Sequence, residues 1–236
     1  MIKMDLNEKN TGKAILIMGN GPSLKNLDFK RVKVDSFGMN GAYRYYKKMD
    51  WYPTYFGSFD VKVINSQKEE YINFVKDPSN RVKEFFFICD IIKNDKVRYC
   101  PPTQPTFRFE ANRTSFKNVG NTGANCCQIA IDKGYKKIIL IGIECNYVQF
   151  VEGTKRMGGT TLQMQETPGS NPNYAWGDYQ RKGDVYNIPA ENRFHLPTWK
   201  ELAKWAPDNG IEVINCSDIS KLDMFKKMSF EEAGVY

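Results

Sequence analysis

Long apolar runs are scarce in this 236-residue sequence. The longest, Ile138–Ile143, is far short of the roughly 20 residues that cross a bilayer, so the sequence predicts no transmembrane helix. The start, Met1–Asn10, is polar and carries acids, whereas a signal peptide has a basic start followed by an apolar run. We therefore expect a cytoplasmic protein, with peripheral contact at the inner face of the membrane as its only membrane association.

Metal-binding and cofactor-binding spacings are also missing. The six cysteines show no C-x-x-C spacing, and neither a D-x-D nor an E-x-x-H pattern occurs. Leu24 stands where a dinucleotide fingerprint has its third glycine, and no Walker-type G-K-[ST] follows. We therefore expect no metal, no resident cofactor, and cysteines that are reduced core residues.

Acidic residues are outnumbered by basic ones, 27 to 34, which gives a formal charge of +7. This excess favours anionic partners such as nucleotides or phosphorylated lipids. No RNA-binding or DNA-binding motif is present, so we expect no nucleic-acid partner. With 41% hydrophobic residues the chain has enough apolar surface for a large core, which excludes intrinsic disorder for most of it.

The remaining pattern is that of an α/β protein. Lys13–Met18 is a short continuous apolar run, typical of a strand buried on both faces of a parallel sheet. A helix with Asn121 or Thr122 as its cap ends at Gly134, and the apolar run from Lys136 to Ile143 follows as the next strand. This repeated strand–helix–strand order predicts a Rossmann-like, mainly parallel sheet with helices on both faces, in a single domain over residues 1–236.

Other segments fit the same architecture. Two strands end near Gly41 and Asp60, another covers 84–89, and a last strand covers 210–216. Helical character appears in 42–49, 67–76 and 198–206, and the tail, 222–230, is interpreted as a short closing helix. Residues 94–118 read as irregular, and about 146–192 as a long lid-like insertion, because loops of that length in compact domains usually serve function or are disordered.

Small polar residues follow three of the predicted strands. The turn Gly19-Asn20-Gly21-Pro22-Ser23 follows the first, Asn40 the second, and Ser58 and Asp60 the third. Ligands of open α/β sheets bind at the carboxyl ends of the strands. Glycines let the backbone approach a ligand, and the amides of the helix expected after the turn can meet a phosphate. The alternative is a tight turn that only connects a strand to a helix.

His195, the only histidine, lies between the long insertion and a predicted helix. A histidine can take a proton from an acceptor alcohol, although a lone histidine is more often structural. The insertion is rich in aromatic and amide side chains, which suit a sugar or a nucleobase; the alternative is a surface loop whose aromatics pack locally. Its members include Asn146, Tyr147, Arg156, Tyr174, Trp176, Tyr179, Arg181 and Tyr186.

These features together resemble the bacterial lipooligosaccharide sialyltransferases. The resemblance rests on Ile17–Lys25, Met39-Asn40, Asn121–Gly123, the run from Gly134 to Glu144, and His195, and it spans about Lys13 to Ser220. It implies a GT-A-like variant without a D-x-D motif. It also implies a CMP-linked sialic or related acidic sugar as donor, a glycan or glycolipid as acceptor, inversion without a metal, and possible homo-oligomers.

The resemblance also implies roles for individual residues. His195 is the expected general base, and Tyr147, displaced by one position from the family's pattern, is expected to hold the departing phosphate. A second family tyrosine has no evident equivalent, and Ser58 stands where the family tends to have asparagine. The expected substrate-binding and nucleotide-binding residues are Gly19, Asn20, Gly21, Pro22, Ser23, Asn40, Ser58, Asp60, Asn121, Thr122, Gly123, Glu144 and Asn146.

Two alternatives remain open. The same glycine turn and strand order occur in MptE-like Rossmann proteins, among them a pyrophosphokinase that would use ATP and Mg²⁺. In that case carboxylates such as Asp60 and Glu144 would have to converge on the metal. The second alternative is a non-catalytic module that binds a nucleotide or a glycan.

Overall fold

Buried parallel strands form the centre of the molecule, which we describe from a computed structural model covering residues 10, 12–110, 116–189 and 191–236. The polar start, Met1–Asn10, falls outside this range except for Asn10. The strands in the described residues are β1 (Ala14–Met18), β2 (Asp35–Met39), β3 (Tyr55–Ser58), β4 (Glu84–Phe87), β5 (Val97–Tyr99), β6 (Lys137–Ile141), β7 (Thr154–Gly158), β8 (Thr161–Met164), β9 (Val185–Asn187), β10 (Glu212–Asn215) and β11 (Lys226–Lys227). The α-helices are α1 (Tyr43–Met49), α2 (Val61–Ser66), α3 (Lys68–Lys76), α4 (Thr122–Asp132), α5 (Leu196–Asp208) and α6 (Phe230–Ala233).

Eight of these strands form one sheet in the order β11-β10-β6-β1-β2-β3-β4-β5. Every pairing in it is parallel. The chain builds outward from β1 to β5 on one side and then returns to place β6 on the other side of β1. The predicted Rossmann-like parallel sheet is therefore confirmed, and its topological switch point lies between β1 and β6.

The two faces of the sheet are covered unequally. Ile15 and Ile17 of β1 pack with the side chains of α1, α3, α4 and α5, which form the larger core. Leu16 and Met18 point to the other face, which is covered by short 3₁₀ turns and by the small helix α6. Helices on both faces were predicted, but the long ones all lie on one.

Helix α4 and strand β6 follow the sequence closely. Asn121 is the cap of α4, since its side-chain oxygen accepts a hydrogen bond from the Ala124 amide at 2.9 Å. Gly134, with a φ of +93°, ends the turn after the helix in the left-handed conformation that glycine adopts without strain. This short connection delivers the chain directly into β6, next to β1.

The insertion contains regular structure that the sequence analysis missed. Strands β7, β8 and β9 form a separate antiparallel sheet with a small core of Leu162, Met164 and Tyr186. Its strands are short, and a register shift interrupts the pairing between Arg156 and Gly158, so no clear alternation marks them in the sequence.

Three other expectations need correction. The tail does not form one helix over 222–230, because Lys226–Lys227 pairs with β10 as an edge strand and α6 begins only at Phe230. Strand β5 interrupts the segment 94–118 that was interpreted as irregular, part of which lies outside the described residues. The helix expected after the glycine turn is only a five-residue 3₁₀ helix, Pro22–Asn26, since Pro22 at its start and Leu27 in an extended conformation bound a single short turn.

None of the six cysteines, all of which lie in the described residues, is in a disulfide, and four of them are buried. Burial raises the pKa of the Cys100 thiol to about 12, which keeps it in the unreactive protonated form. The prediction of core cysteines is confirmed for these four.

Candidate functional site

A cleft of about 640 Å³ opens at the carboxyl ends of β1, β2, β3 and β6. The sheet forms its floor, and residues of the insertion, including β9, form part of its wall. Nine predicted site residues line it: Gly19, Asn20, Asn40, Asp60, Asn121, Thr122, Gly123, Tyr147 and His195. Six others, Gly21, Pro22, Ser23, Ser58, Glu144 and Asn146, lie outside the lining. The structure thus brings most of the predicted residues to one place, at the switch point of the sheet.

The floor at the switch point is made by two glycines. A Cβ at Gly19 would lie 2.1 Å from the carbonyl oxygen of Gly142, and a Cβ at Gly142 would lie 2.5 Å from that of Gly19. Contacts this short are impossible for a real side chain, so glycine is required at both positions. This close approach lets β1 and β6 end side by side and leaves the space above them open.

Glu144 supports the glycine turn from behind the cleft. Its buried carboxylate accepts hydrogen bonds from both the amide and the hydroxyl of Ser23, and a Cβ at Gly21 would overlap it. The Ser23 hydroxyl in turn accepts from the Gly142 amide at 3.1 Å. Because the Ser23 amide is already bonded, and because a 3₁₀ turn replaces the expected helix, the phosphate contact predicted for these amides lacks its structural basis.

Asn20 lines the cleft and has an unpaired acceptor. Its side-chain nitrogen donates to the Met39 carbonyl at 3.0 Å and to the Tyr179 hydroxyl at 2.8 Å, which uses both of its N–H groups. Its side-chain oxygen is buried and has no hydrogen-bond partner among the described residues. Leaving such an atom unsatisfied costs about 1–3 kcal/mol, and a group that donates a hydrogen bond to it would remove this cost.

Asn121 also lines the cleft and has an unpaired donor. Its oxygen is used to cap α4, while its buried nitrogen has no hydrogen-bond partner among the described residues. The first turn of α4 also has backbone amides that no helical carbonyl satisfies, as in every helix. A hydrogen-bond acceptor in the ligand, such as an anionic oxygen, would satisfy this end of the cleft.

Asn40 is held in position by Ser58. The buried Ser58 hydroxyl donates to the Asn40 side-chain oxygen at 3.0 Å and accepts from the Tyr71 hydroxyl at 3.2 Å. Asn40 itself has a φ of +50°, a left-handed conformation that turns the chain sharply at the end of β2. Ser58 therefore acts on the cleft through Asn40 rather than from its lining.

His195 and Tyr147 lie together on the side of the cleft nearest α5. The tyrosine ring meets the imidazole edge to face, with ring centroids 5.6 Å apart. His195 ends a π-helical turn, Glu191–His195, that leads directly into α5, so a rigid element carries it. The general base and the phosphate-binding tyrosine of the sequence prediction are thus neighbours.

Three further tyrosines of the insertion line the cleft: Tyr174, Tyr179 and Tyr186. The rings of Tyr174 and Tyr179 stack with centroids 3.9 Å apart. The Tyr179 hydroxyl accepts from the Gly41 amide at 3.0 Å as well as from Asn20, and burial raises its pKa well above the ordinary value. It therefore stays protonated, and its own hydrogen is available to an acceptor.

A buried arginine joins the insertion to the body of the protein. Arg44 of α1 forms a two-pronged ion pair with Asp184, at 2.5 and 2.9 Å, and a second pair with Glu70. It also donates to the Tyr179 carbonyl at 3.0 Å. Burial opposes the charge of Arg44, but its hydrogen bonds to Asp184 and Glu70 outweigh that effect and raise its pKa. Nothing in the local sequence pattern marks the contact with the insertion, since Tyr179 and Asp184 are 135 and 140 residues from Arg44.

The carboxylates considered for a metal-dependent alternative are separated. Asp60 lines the cleft and Glu144 lies outside it, bonded to Ser23. In the part of the chain that the structure describes, no group of three or more histidine, cysteine or acidic side chains is placed to hold a metal ion. The same part of the chain has no helix that is both long and apolar enough to span a bilayer.

Solved structures share this fold, although no family model and no curated relative matches the chain. The sialyltransferase CstII from Campylobacter jejuni, in complex with the substrate analogue CMP-3FNeuAc, is 16% identical with a TM-score of 0.55, over 92% of this chain and 86% of that one. An α-2,3-sialyltransferase from Campylobacter jejuni in apo form is 20% identical with a TM-score of 0.52, over 97% and 84%. The MAf glycosyltransferase from Magnetospirillum magneticum AMB-1 is 14% identical with a TM-score of 0.55, over 98% of this chain and 35% of that one. The chain is thus similar in fold to glycosyltransferases, and the resemblance seen in the sequence holds at that level.

Proposed function

We propose that this protein is a glycosyltransferase that takes a sugar from a CMP-linked donor. The observation that carries the proposal is the pair of unpaired amide atoms, Asn20 Oδ1 and Asn121 Nδ2, in one cleft at the switch point of the sheet. An acceptor and a donor in fixed positions suit a ligand with both polar edges and anionic oxygens, as a nucleotide has. The fold shared with a sialyltransferase bound to a CMP-sugar analogue supports the same choice of ligand.

The placement of His195 and Tyr147 as neighbours in the cleft supports the transfer step that we propose. His195 takes the proton of the acceptor hydroxyl while that oxygen attacks the anomeric carbon of the donor. The bond between this carbon and the phosphate oxygen breaks on the opposite face, which inverts the configuration and releases CMP. Tyr147 and the partly buried Tyr174 lie in the same cleft and donate hydrogen bonds to the phosphate as its negative charge grows. No metal enters this step.

The acceptor we propose is a glycan, carried in its natural setting by a lipid. Val148 follows Tyr147 directly and Phe150 comes two residues after Val148; they are 48% and 51% exposed, and Met157 of β7 is exposed as well. Lys155 and Arg156 lie beside Met157 on the same strand. Apolar and basic side chains together suit the boundary of a membrane with anionic lipids, which would place acceptors near the cleft.

The proposal is tested by following release of free CMP from CMP-sialic acid, with and without a glycan acceptor and in the presence of EDTA. We expect the intact protein to release CMP and to transfer the sugar. His195→Ala should lower kcat by about 100-fold or more while CMP binding is retained. A fully active His195→Ala variant would remove the histidine from the mechanism. Binding without turnover would instead identify a non-catalytic module.

A further inference from the structure

Lys62 brings a positive charge to the cleft. Among the described lining residues it is the only lysine or arginine. Its ammonium donates to Thr161 Oγ1 and to Asn187 Oδ1, both at 2.7 Å, and Thr160 Oγ1 lies at 3.5 Å, the limit of hydrogen-bond distance. An ammonium has three N–H donors, so the third one makes at most a weak hydrogen bond within the protein, to Thr160.

Lys62 forms no direct ion pair with the acid beside it. Asp60 is two residues earlier, but the Asn187 amide stands between the two side chains. Its nitrogen donates to both oxygens of Asp60, at 3.3 and 3.2 Å, and its oxygen accepts from Lys62. Among the described residues no carboxylate oxygen lies within 4.0 Å of this ammonium, which is the distance limit of an ion pair. Asn187 thus keeps two opposite charges apart at the wall of the cleft.

The position of Lys62 separates it from the anchor of the nucleotide. It follows β3, which is two strands from β1 in the sheet, or roughly 10 Å at the usual strand spacing. Asn20 lies at the end of β1, and Asn121 lies at the start of α4. The group of a ligand that binds Asn20 is therefore not the group that lies near Lys62.

We propose that the Lys62 ammonium binds the carboxylate of the donor's sugar and thereby selects an acidic sugar over a neutral one. This inference rests on the proposed function and assigns one specificity-determining residue to it. A cation whose protein partners are all neutral gains a charge-assisted hydrogen bond when an anionic oxygen arrives. The bonds to Thr161 and Asn187 also hold the ammonium in place, so little side-chain freedom is lost on binding.

The test compares two ligands, CMP and the analogue CMP-3FNeuAc, by titration calorimetry with EDTA present. Four variants are used: Lys62→Gln removes the charge, Lys62→Arg keeps it, Thr161→Val removes a partner hydroxyl only, and Lys68→Gln removes an exposed charge of α3 outside the cleft. The readout is the ratio of the two affinities for each variant. This ratio does not depend on the fraction of folded protein.

We expect Lys62→Gln to weaken binding of the analogue by about 10- to 100-fold and to leave the affinity for CMP nearly unchanged. Lys62→Arg and Lys68→Gln should keep the ratio of the wild type. Thr161→Val should lower it less than Lys62→Gln does, since the ammonium loses one of the bonds that hold it but keeps its charge. If Lys62→Gln weakens both ligands equally, Lys62 contacts the phosphate or another part of CMP. If it weakens neither, Lys62 only links α2 to the insertion. Either result overturns this inference and leaves the proposed function standing. A wild type that binds CMP but not the analogue would overturn the acidic donor together with this inference, and binding of neither ligand would overturn the proposed function itself.

Discussion

Replacing Arg44 with methionine should destabilise the protein more than any exposed charge change. Only 2% of the Arg44 side chain and 8% of the Asp184 side chain are exposed. Methionine fills a similar volume, but it leaves the buried Asp184 carboxylate without its cation. Removing one partner of a buried ion pair typically costs about 3–5 kcal/mol, because the remaining charge is then uncompensated.

The size of the effect on melting follows from the length of the chain. For proteins of 150–250 residues, 1 kcal/mol shifts the melting temperature by about 2–4 °C, so Arg44→Met should lower it by roughly 6–20 °C. The measurement is thermal unfolding followed by circular dichroism at pH 7. The matched control is Arg31→Met, whose ion pair with Glu231 is 53% and 61% exposed and should contribute less than about 1 kcal/mol.

A second substitution separates the buried charge from the lost packing. In the double variant Arg44→Met, Asp184→Asn the uncompensated carboxylate becomes a neutral amide, so part of the lost stability should return. Equal melting temperatures for Arg44→Met and Arg31→Met would show that the buried pair contributes no more than an exposed one. A double variant in which Asp184→Asn only adds its own loss to that of Arg44→Met would exclude the uncompensated carboxylate as the cause.

Three further predictions concern the glycine turn, the cleft and the loss of stability at low pH. Gly19→Ala should prevent normal folding or abolish ligand binding, because its Cβ would overlap the Gly142 carbonyl. The control is Gly169→Ala, in open space and without a positive φ, which should change neither; a Gly19→Ala variant with wild-type melting and binding would contradict the prediction. Asn20→Ala should lower the affinity for CMP, measured by calorimetry, by about 10-fold because the unpaired oxygen is lost. An unchanged affinity would exclude Asn20 from the nucleotide site. Burial raises the pKa of Glu70, but its hydrogen bonds and ion pair with Arg44 outweigh burial and lower that pKa below its ordinary value. Glu70 therefore contributes stability at neutral pH that is lost on acidification. The difference in melting temperature between wild type and Glu70→Gln should shrink from pH 6 to pH 3, and a constant difference would contradict this.

The parts of the fold that the sequence predicted are those with strong local signals. The apolar runs of β1 and β6 and the capped helix between Asn121 and Gly134 each carry their own pattern within about a dozen residues. Their parallel order then follows from general rules of connection. The sheet of the insertion carries no such signal, because its strands are three to five residues long and one is interrupted by a register shift.

The site was predicted where polar residues directly follow strands, as Asn20 and Asn40 do. Residues that reach the cleft through long-range contacts could not be found in this way. Lys62 acts with Thr161 and Asn187, about a hundred or more positions later in the chain. Glu144 shows the opposite error: it ends a strand as a ligand-binding acid would, yet its carboxylate is turned towards the Ser23 turn. Adjacency in sequence therefore indicates the edge of the sheet, but not the direction in which a side chain points.

The measurement that tests the central claim most directly is the thermal stability of the purified protein with CMP, UDP, GDP, ADP and ATP, each with Mg²⁺ and with EDTA. A ligand at 100 times its Kd stabilises a protein by about 2.7 kcal/mol, which corresponds to roughly 5–11 °C for a chain of this length. We predict that CMP gives such a shift in EDTA and that the other nucleotides give much smaller ones. No shift with CMP, or a shift with ATP only when Mg²⁺ is present, would contradict the proposal of a CMP-sugar donor.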